Sequence, residues 1–206
     1  MKTLYFIRHA ESEANRLDVL ASRRGYPLSA KGMEDAVAIA AEFKKMVSLD
    51  RIVCSPLIRA LQTAQPIAEA FGLEIETDER LTEQELGIYA GMTYTELDER
   101  RDYAHDRSKR WKWEAEGGGE SYEMIARRLE PFFQSLEKLE GENILFVTHA
   151  VTMRMIKAIL EQTLPDYPHE IAKNGEIWKV KFTKHGDAHV VESVFPGESE
   201  GAVSRA

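Results

Sequence analysis

Two apolar runs far apart in the chain, Leu4-Tyr5-Phe6-Ile7 and Ile144-Leu145-Phe146-Val147, each lead within two residues to a histidine, His9 and His149. Each run reads as a buried strand that stops at the imidazole and then enters a helix. In open α/β sheets ligands gather at the carboxyl ends of strands, where the following helix opens with unpaired N–H groups, so strand-end histidines suggest chemistry on an anion. Arg8, Glu11, Ser12 and Asn15 surround His9 with a guanidinium and hydrogen-bonding groups that suit a phosphate. A neutral imidazole can attack phosphorus through one nitrogen only if the other holds its proton against a fixed acceptor, usually a backbone carbonyl.

The elements that must hold these groups follow from the pattern. Segments 3–7, 51–54, 74–76, 143–148, 177–182 and 189–195 are short and rich in β-branched or aromatic residues, as strands are. Between the first four lie helical stretches. In 29–46 the residues Met33, Val37, Ala40, Ala41, Phe43 and Met46 recur on one predicted face, with Ser29 as cap and acids in the first turn. In 57–71 the face is Leu57, Leu61, Ala64, Ile67, Ala68 and Phe71; Pro66 predicts a kink, and Gly72 a stop. Segment 121–139 repeats the pattern through Ile125, Leu129, Phe132, Phe133, Leu136 and Leu139, and 151–160 is a shorter apolar helix. Thr183-Lys184-His185-Gly186-Asp187 reads as a hairpin turn between the last two strands. The expected fold is α/β: a three-layer α/β/α sandwich with a mostly parallel central sheet and one antiparallel edge strand. One domain over 1–195 is expected, with a flexible tail at 196–206.

Composition narrows the function. The chain has 206 residues, 43% hydrophobic and 30% charged, enough for a full core. A formal charge of −8, with basic residues scattered among acids, argues against a nucleic-acid partner. No stretch approaches the ~18 apolar residues of a membrane span, and the N-terminal apolar run is too short for a signal peptide, so a soluble cytoplasmic protein is expected. The single cysteine, Cys54, reads as a small buried side chain in a reducing compartment. His105, His169, His185 and His189 lack metal-ligand spacing, so no metal is assigned.

The motifs resemble a known family. Arg8-His9-Ala10-Glu11-Ser12 with Asn15 is similar to the R-H-G-E-[ST]-x-x-N signature of the histidine phosphatase (phosphoglycerate mutase-like) superfamily. In the family's order follow Ser55-Pro56-Leu57-Ile58-Arg59-Ala60-Leu61-Gln62-Thr63-Ala64, Leu81-Thr82-Glu83 with Gly87 and Gly91, Gly119-Glu120-Ser121, and Val147-Thr148-His149-Ala150. The resemblance implies that His9 is the nucleophile, that Arg8, Asn15, Arg59 and His149 hold the phosphoryl oxygens, and that Glu83 is the proton donor. These roles agree with elementary chemistry. Phosphoryl transfer spreads negative charge over equatorial oxygens, which guanidiniums stabilise, and a departing alkoxide needs an acid. No cofactor is required in that scheme, and the substrate is a small phosphorylated molecule. Glu79 and Glu85 compete with Glu83 as ordinary surface acids.

The sequence departs from the pattern in three places. Ala10 and Ala150 stand where glycine usually follows each histidine, and the loop from Leu20 to Gly25 lacks the small residue followed by glycine that relatives often carry there, leaving Ser22 and Arg23 as candidate contacts. Residues 91–119 carry Tyr94, Tyr103, Trp111 and Trp113 among Arg100, Arg101, Arg107, Lys109 and Arg110. They read equally as a solvated helix or as a lid insertion whose aromatics meet the substrate, hinged at 117–119. The leading expectation is a metal-independent phosphatase acting on phosphomonoesters. A cofactor-dependent phosphoglycerate mutase and a non-catalytic phosphate-binding protein are the competing readings, and oligomeric state is left open.

Overall fold

The computed structural model describes residues 1–197, so part of the expected tail, 198–206, lies outside the described residues. A 6-stranded sheet has the order β3-β2-β4-β1-β5-β6, with β1 Lys2–Arg8, β2 Arg51–Cys54, β3 Ile75–Thr77, β4 Asn143–Thr148, β5 Ile177–Phe182 and β6 Val191–Phe195. The chain moves outward from β1 to β2 and β3, then returns to insert β4 between β1 and β2. Those four strands pair in parallel, whereas β5 is antiparallel to β1 and β6 antiparallel to β5. β5 alone therefore runs against the other strands, and the short connection after it returns β6 alongside in the direction of β1, so the mostly parallel sheet with an antiparallel edge is as expected. Among the described residues no helix is long and apolar enough to cross a membrane.

The helices are α1 Glu13–Arg16, α2 Ala30–Met46, α3 Ile58–Phe71, α4 Tyr94–Asp98, α5 Tyr122–Leu136 and α6 Ala150–Leu160. Side chains alternate across the two central strands, which are apolar on both faces, as parallel strands covered on both sides must be. Tyr5, Ile7, Leu145 and Val147 meet Ile39, Ala40 and Phe43 of α2 and Ala60, Ala64 and Ile67 of α3. Leu4, Phe6, Ile144 and Phe146 meet Ile125, Leu129 and Phe132 of α5 and Met153 and Ile156 of α6. The Phe146 ring lies 5.1 Å from both Phe6, which it stacks on, and Phe132, which it meets edge to face, so aromatic contacts tie β1, β4 and α5 together. The three-layer expectation holds.

Two helices differ in detail from their sequence patterns. α3 runs through Pro66 without a break and stops at Gly72, whose φ of 69° supplies the left-handed cap. In α2, Met33, Val37 and Met46 are exposed, and the buried stripe is Gly32, Ala36, Ile39, Ala40 and Phe43. No acid occupies its first turn; the Ser29 side chain accepts the Gly32 N–H instead. The helix is rotated toward its small residues because the Glu11 backbone passes directly beside Gly32. A Cβ there would sit 1.9 Å from the Glu11 carbonyl oxygen.

That contact sets the sign of a substitution. Alanine exceeds glycine in helix propensity by about 1 kcal/mol, yet Gly32→Ala must push α2 off the loop that carries Glu11 and Ser12. A net loss of about 1–3 kcal/mol is expected from this overpacking. Urea unfolding measures it, and a stabilised variant would contradict the close approach.

Candidate active site

The parallel ladder of β1 and β4 pairs Ile7 with Val147 and Arg8 with Thr148, and His9 continues it by donating its N–H to the Thr148 carbonyl at 3.0 Å. His9 and His149 therefore leave adjacent strands at the same level. Their ring centroids lie 5.2 Å apart, and both residues are buried. β2 ends one strand away: the Ser55 N–H donates to the Val147 carbonyl, and the Ser55 hydroxyl meets His149 Nε2 at 2.7 Å. His149 Nδ1 is buried without a partner.

His9 Nδ1 donates to the Ala10 carbonyl at 2.7 Å, which fixes the proton there and leaves the Nε2 lone pair available. Arg59, from the first turn of α3, donates its Nε–H to that Nε2 at 3.2 Å and its terminal nitrogens to the carbonyls of Arg24 and Ser22. Burial, reinforced by the charges of Arg59 and Arg8, holds His9 well below the usual imidazole range. His149 is lowered well below that range too, by burial, then by Arg59, His9 and Arg8. Both rings are therefore neutral at pH 7. Burial pushes Arg59 down to about 10, which leaves it charged. Arg8 is lowered by burial as well; it donates to the Ala172 carbonyl at 2.8 Å and keeps a buried Nε with no partner, rather than pairing with Glu11.

Asn15 accepts at Oδ1 from the Ser12 N–H, the Ser12 hydroxyl and Asn174, so its own amide N–H groups remain to donate. Asn174 was not singled out from sequence. Its amide also donates to the carbonyls of His9 and Ala10, at 3.0 and 3.2 Å, and so fixes the group that orients His9. The one clue is the Asn-Gly pair opening the approach to β5, with Gly175 at a φ of 72°.

Of the three competing acids, Glu83 borders the cavity. Its carboxylate accepts N–H groups from Gln84, Val151 and Thr152, the last two in the first turn of α6 after His149. The surrounding backbone is pinned by Thr148 on the Leu81 carbonyl, Thr152 and Arg128 on the Thr82 carbonyl, and Arg23 on the Glu83 carbonyl. Arg23 thus braces the Glu83 loop and pairs with Glu120 at 2.7 Å, outside the cavity lining. Glu85 caps the turn at Leu86 and Gly87.

A cavity of about 80 Å³ collects Arg8, His9, Asn15, Arg59 and Glu83; His149, fully buried, is not among its lining residues but its ring lies 5.2 Å from that of His9. Ser22 also borders it, at a φ of 49°, with its hydroxyl donating to the Gln84 carbonyl. Neither Ala10 nor Ala150 has positive φ, so a methyl group costs no backbone strain, and Ala10 packs on Leu28 and Ala36. From residues 91–119, Tyr94, Tyr103, Arg107 and Arg110 reach the cavity, while Trp113 joins Leu86, Tyr89 and Leu97 in a small separate core and Trp111 packs on the main one. Gly87 is a close-packing position: the Ile88 N–H donates to the Glu116 carbonyl, and a Cβ on Gly87 would lie 1.9 Å from that oxygen, while a Cβ on Gly117 would lie 2.8 Å from the Ile88 side chain and one on Gly118 would meet nothing. Cys54 is buried, and burial pushes its thiol up, away from reactivity.

Residues 4–193 match the histidine phosphatase superfamily (branch 1). The chain belongs to that family. Phosphoserine phosphatase 1 of Hydrogenobacter thermophilus is 33% identical over 165 residues, covering 78% of this chain and 76% of that protein. The 6-phosphofructo-2-kinase/fructose-2,6-bisphosphatase 1 of Bos taurus is 33% identical over 174 residues; the match spans 82% of this chain but only 35% of the bifunctional protein. Among solved structures, phosphoserine phosphatase from Entamoeba histolytica, in complex with phosphoserine, superposes with a TM-score of 0.79 at 26% identity, covering 93% and 95% of the two chains. The phosphatase fold and the phosphohistidine chemistry of the superfamily in general therefore apply to this histidine phosphatase.

The buried neutral histidines make a thermodynamic demand. Each returns to about 6.5 in the unfolded chain, so below that pH the unfolded state takes up protons that the folded state refuses. Stability is full above about pH 6.5 and falls as pH drops beneath it, by up to about 1.4 kcal/mol per pH unit for each ring. Urea unfolding from pH 7.5 to 5.5 should show the decline, and His9→Gln should make it shallower. An unchanged slope would mean that His9 is not held neutral.

Proposed function

We propose that this protein hydrolyses small phosphomonoesters through a phosphohistidine on His9, without a metal ion. The observation that carries the reading is the Nδ1–H to Ala10 carbonyl bond, which leaves His9 Nε2 as the attacking lone pair beside two buried guanidiniums. Arg59 Nε now donates to that lone pair; an entering phosphoryl group offers Arg59 an anionic oxygen instead and frees Nε2. Nε2 then bonds to phosphorus as the ester P–O bond breaks, and Glu83 passes its proton to the departing oxygen. In the second half Glu83 takes a proton from water, the water oxygen attacks phosphorus, and the P–N bond breaks with its electrons returning to Nε2. Arg8, Asn15 and Arg59 stabilise the equatorial oxygens through both steps, and a phosphoryl oxygen gives the unpartnered His149 Nδ1 its missing hydrogen bond.

The related phosphoserine phosphatases favour hydrolysis over transfer to a second sugar acid. Residues 91–119 act in this reading as a cover that excludes water and reads the organic part of the substrate. The reading sets the enzyme in the cytoplasm, in keeping with a lone buried Cys54.

Incubation with p-nitrophenyl phosphate and a panel of sugar, amino-acid and nucleotide phosphates should give hydrolysis, with an acid-labile phosphoenzyme trapped on quenching. His9→Ala is expected to abolish both; ordinary turnover in that variant sinks the mechanism. Glu83→Gln tests the acid separately. It should slow alkyl phosphates by about 10²-fold or more and p-nitrophenyl phosphate much less, because p-nitrophenolate leaves without a proton. Equal losses on both esters would remove Glu83 from that role.

A further inference from the structure

Both imidazoles of the site are neutral, yet the proposed reaction asks opposite things of them. His9 must present a lone pair to phosphorus. His149 must present an N–H, because a bare nitrogen lone pair repels a phosphoryl oxygen. A neutral ring carries one proton, so the neighbour that engages one nitrogen decides what the other can do.

For His9 the choice is made by an acceptor, the Ala10 carbonyl at Nδ1. For His149 it falls to a hydroxyl. Ser55 Oγ lies 2.7 Å from His149 Nε2, and both residues are fully buried. The same Oγ accepts the Leu57 N–H at 3.3 Å, which occupies one of its lone pairs. Among the described residues, His149 Nε2 is the one acceptor that the Ser55 hydroxyl proton reaches. Donation by the hydroxyl satisfies Ser55 completely and leaves the ring proton on Nδ1. The reverse assignment, Nε2–H donating to Ser55, strands a buried hydroxyl proton at a cost of about 1–3 kcal/mol and bares a lone pair at Nδ1 as well.

No other group in the protein calls for a lone pair at Nδ1. His149 is the N-cap of α6, where a side-chain acceptor commonly takes N–H groups of the first turn, but Val151 and Thr152 give theirs to Glu83. Nδ1 is therefore left buried without a partner, in a neighbourhood where the charges of Arg59 and Arg8 both act on the ring. An N–H there completes a set of donors around an anion.

Ser55 is held in place for this task. Its N–H donates to the Val147 carbonyl at 2.9 Å, continuing the β2–β4 ladder, and it opens the turn into α3 four residues before Arg59. One segment thus sends a donor to each Nε2, the Arg59 guanidinium to His9 at 3.2 Å and the Ser55 hydroxyl to His149. An entering phosphoryl group draws the guanidinium away to its own oxygens. The neutral hydroxyl stays where it is.

We propose that Ser55 is a positioning residue for phosphoryl transfer: its hydroxyl donates to His149 Nε2 and so keeps the ring proton on Nδ1, ready to donate to the phosphoryl group. The role rests on the proposed phosphatase reading for its anion, whereas the tautomer is a property of the resting protein.

Proton–nitrogen correlation spectra of protein carrying isotope-labelled histidine separate the two neutral tautomers, and the resonances lost in His149→Ala identify the ring. At pH 7.5 wild-type His149 should be protonated at Nδ1, and Ser55→Ala should move population to Nε2. Protonation at Nε2 in the wild type would overturn the proposal, whether or not any Ser55 variant folds. Calorimetric titration with inorganic phosphate measures the consequence. Ser55→Ala should weaken binding about 10-fold, the lower end for a hydrogen bond to a charged group, and Ser55→Thr, which keeps the hydroxyl, should recover most of that loss. In the His149→Ala background Ser55→Ala should cost less than about twofold, because Ser55 reaches the anion only through that ring. An equal loss in both backgrounds would mean a merely structural role and would also overturn the proposal. Phosphate binding without hydrolysis of any ester would end the phosphatase reading alone.

Discussion

The β1–β4 register is the constraint on which the site depends. Pairing Arg8 with Thr148 puts His9 and His149 at one level, and a slip of a single residue would send one imidazole to the opposite face of the sheet. That register is enforced by burial on both faces. Leu4, Phe6, Ile144 and Phe146 fill one core while Tyr5, Ile7, Leu145 and Val147 fill the other. Each side chain buried is worth about 1.5–3 kcal/mol, so the slipped pairing loses many such contacts at once. The precision of the histidine pair is thus inherited from hydrophobic packing several residues away.

The same burial prepares the chemistry. Desolvation is the largest influence on both histidines and on Arg8 and Arg59, and it acts in opposite senses on function. It keeps the imidazoles neutral, as the proposed attack by His9 needs, and strengthens the field of guanidiniums that stay charged. The protein tolerates those guanidiniums by giving them carbonyl oxygens: Ala172 for Arg8, and Ser22 and Arg24 for Arg59. Carbonyl dipoles hold a cation in place without neutralising it, so the site remains electrostatically ready for an anion.

Legibility followed chemistry that is local in sequence. His9, Arg8, Asn15, Arg59 and His149 lie at strand ends or helix starts and Glu83 in the loop after Leu81, each among the neighbouring residue types from which its proposed role was read. The central strands were readable because an apolar run bounded by polar residues has few other uses. The exposed face of α2 was misread because its rotation is set by the Glu11 backbone meeting Gly32, a tertiary contact that periodicity does not encode. Asn174 was missed for the same reason: it lies far from His9 in the chain, and only the antiparallel placement of β5 beside β1 brings it there.

Ala10 and Ala150 illustrate how a motif position can change without losing its task. The requirement beside His9 is a carbonyl that accepts the Nδ1 proton, and a backbone carbonyl is supplied by any residue whose φ is ordinary. Glycine is needed only where positive φ or a close neighbour forbids a Cβ. Here the Ala10 methyl finds Leu28 and Ala36 beneath it, its N–H is received by Thr63, and Asn174 braces its carbonyl from the other side. The constraint falls on the position of one oxygen atom, and three separate elements maintain it, so the side chain at that position is free to vary within the space they leave.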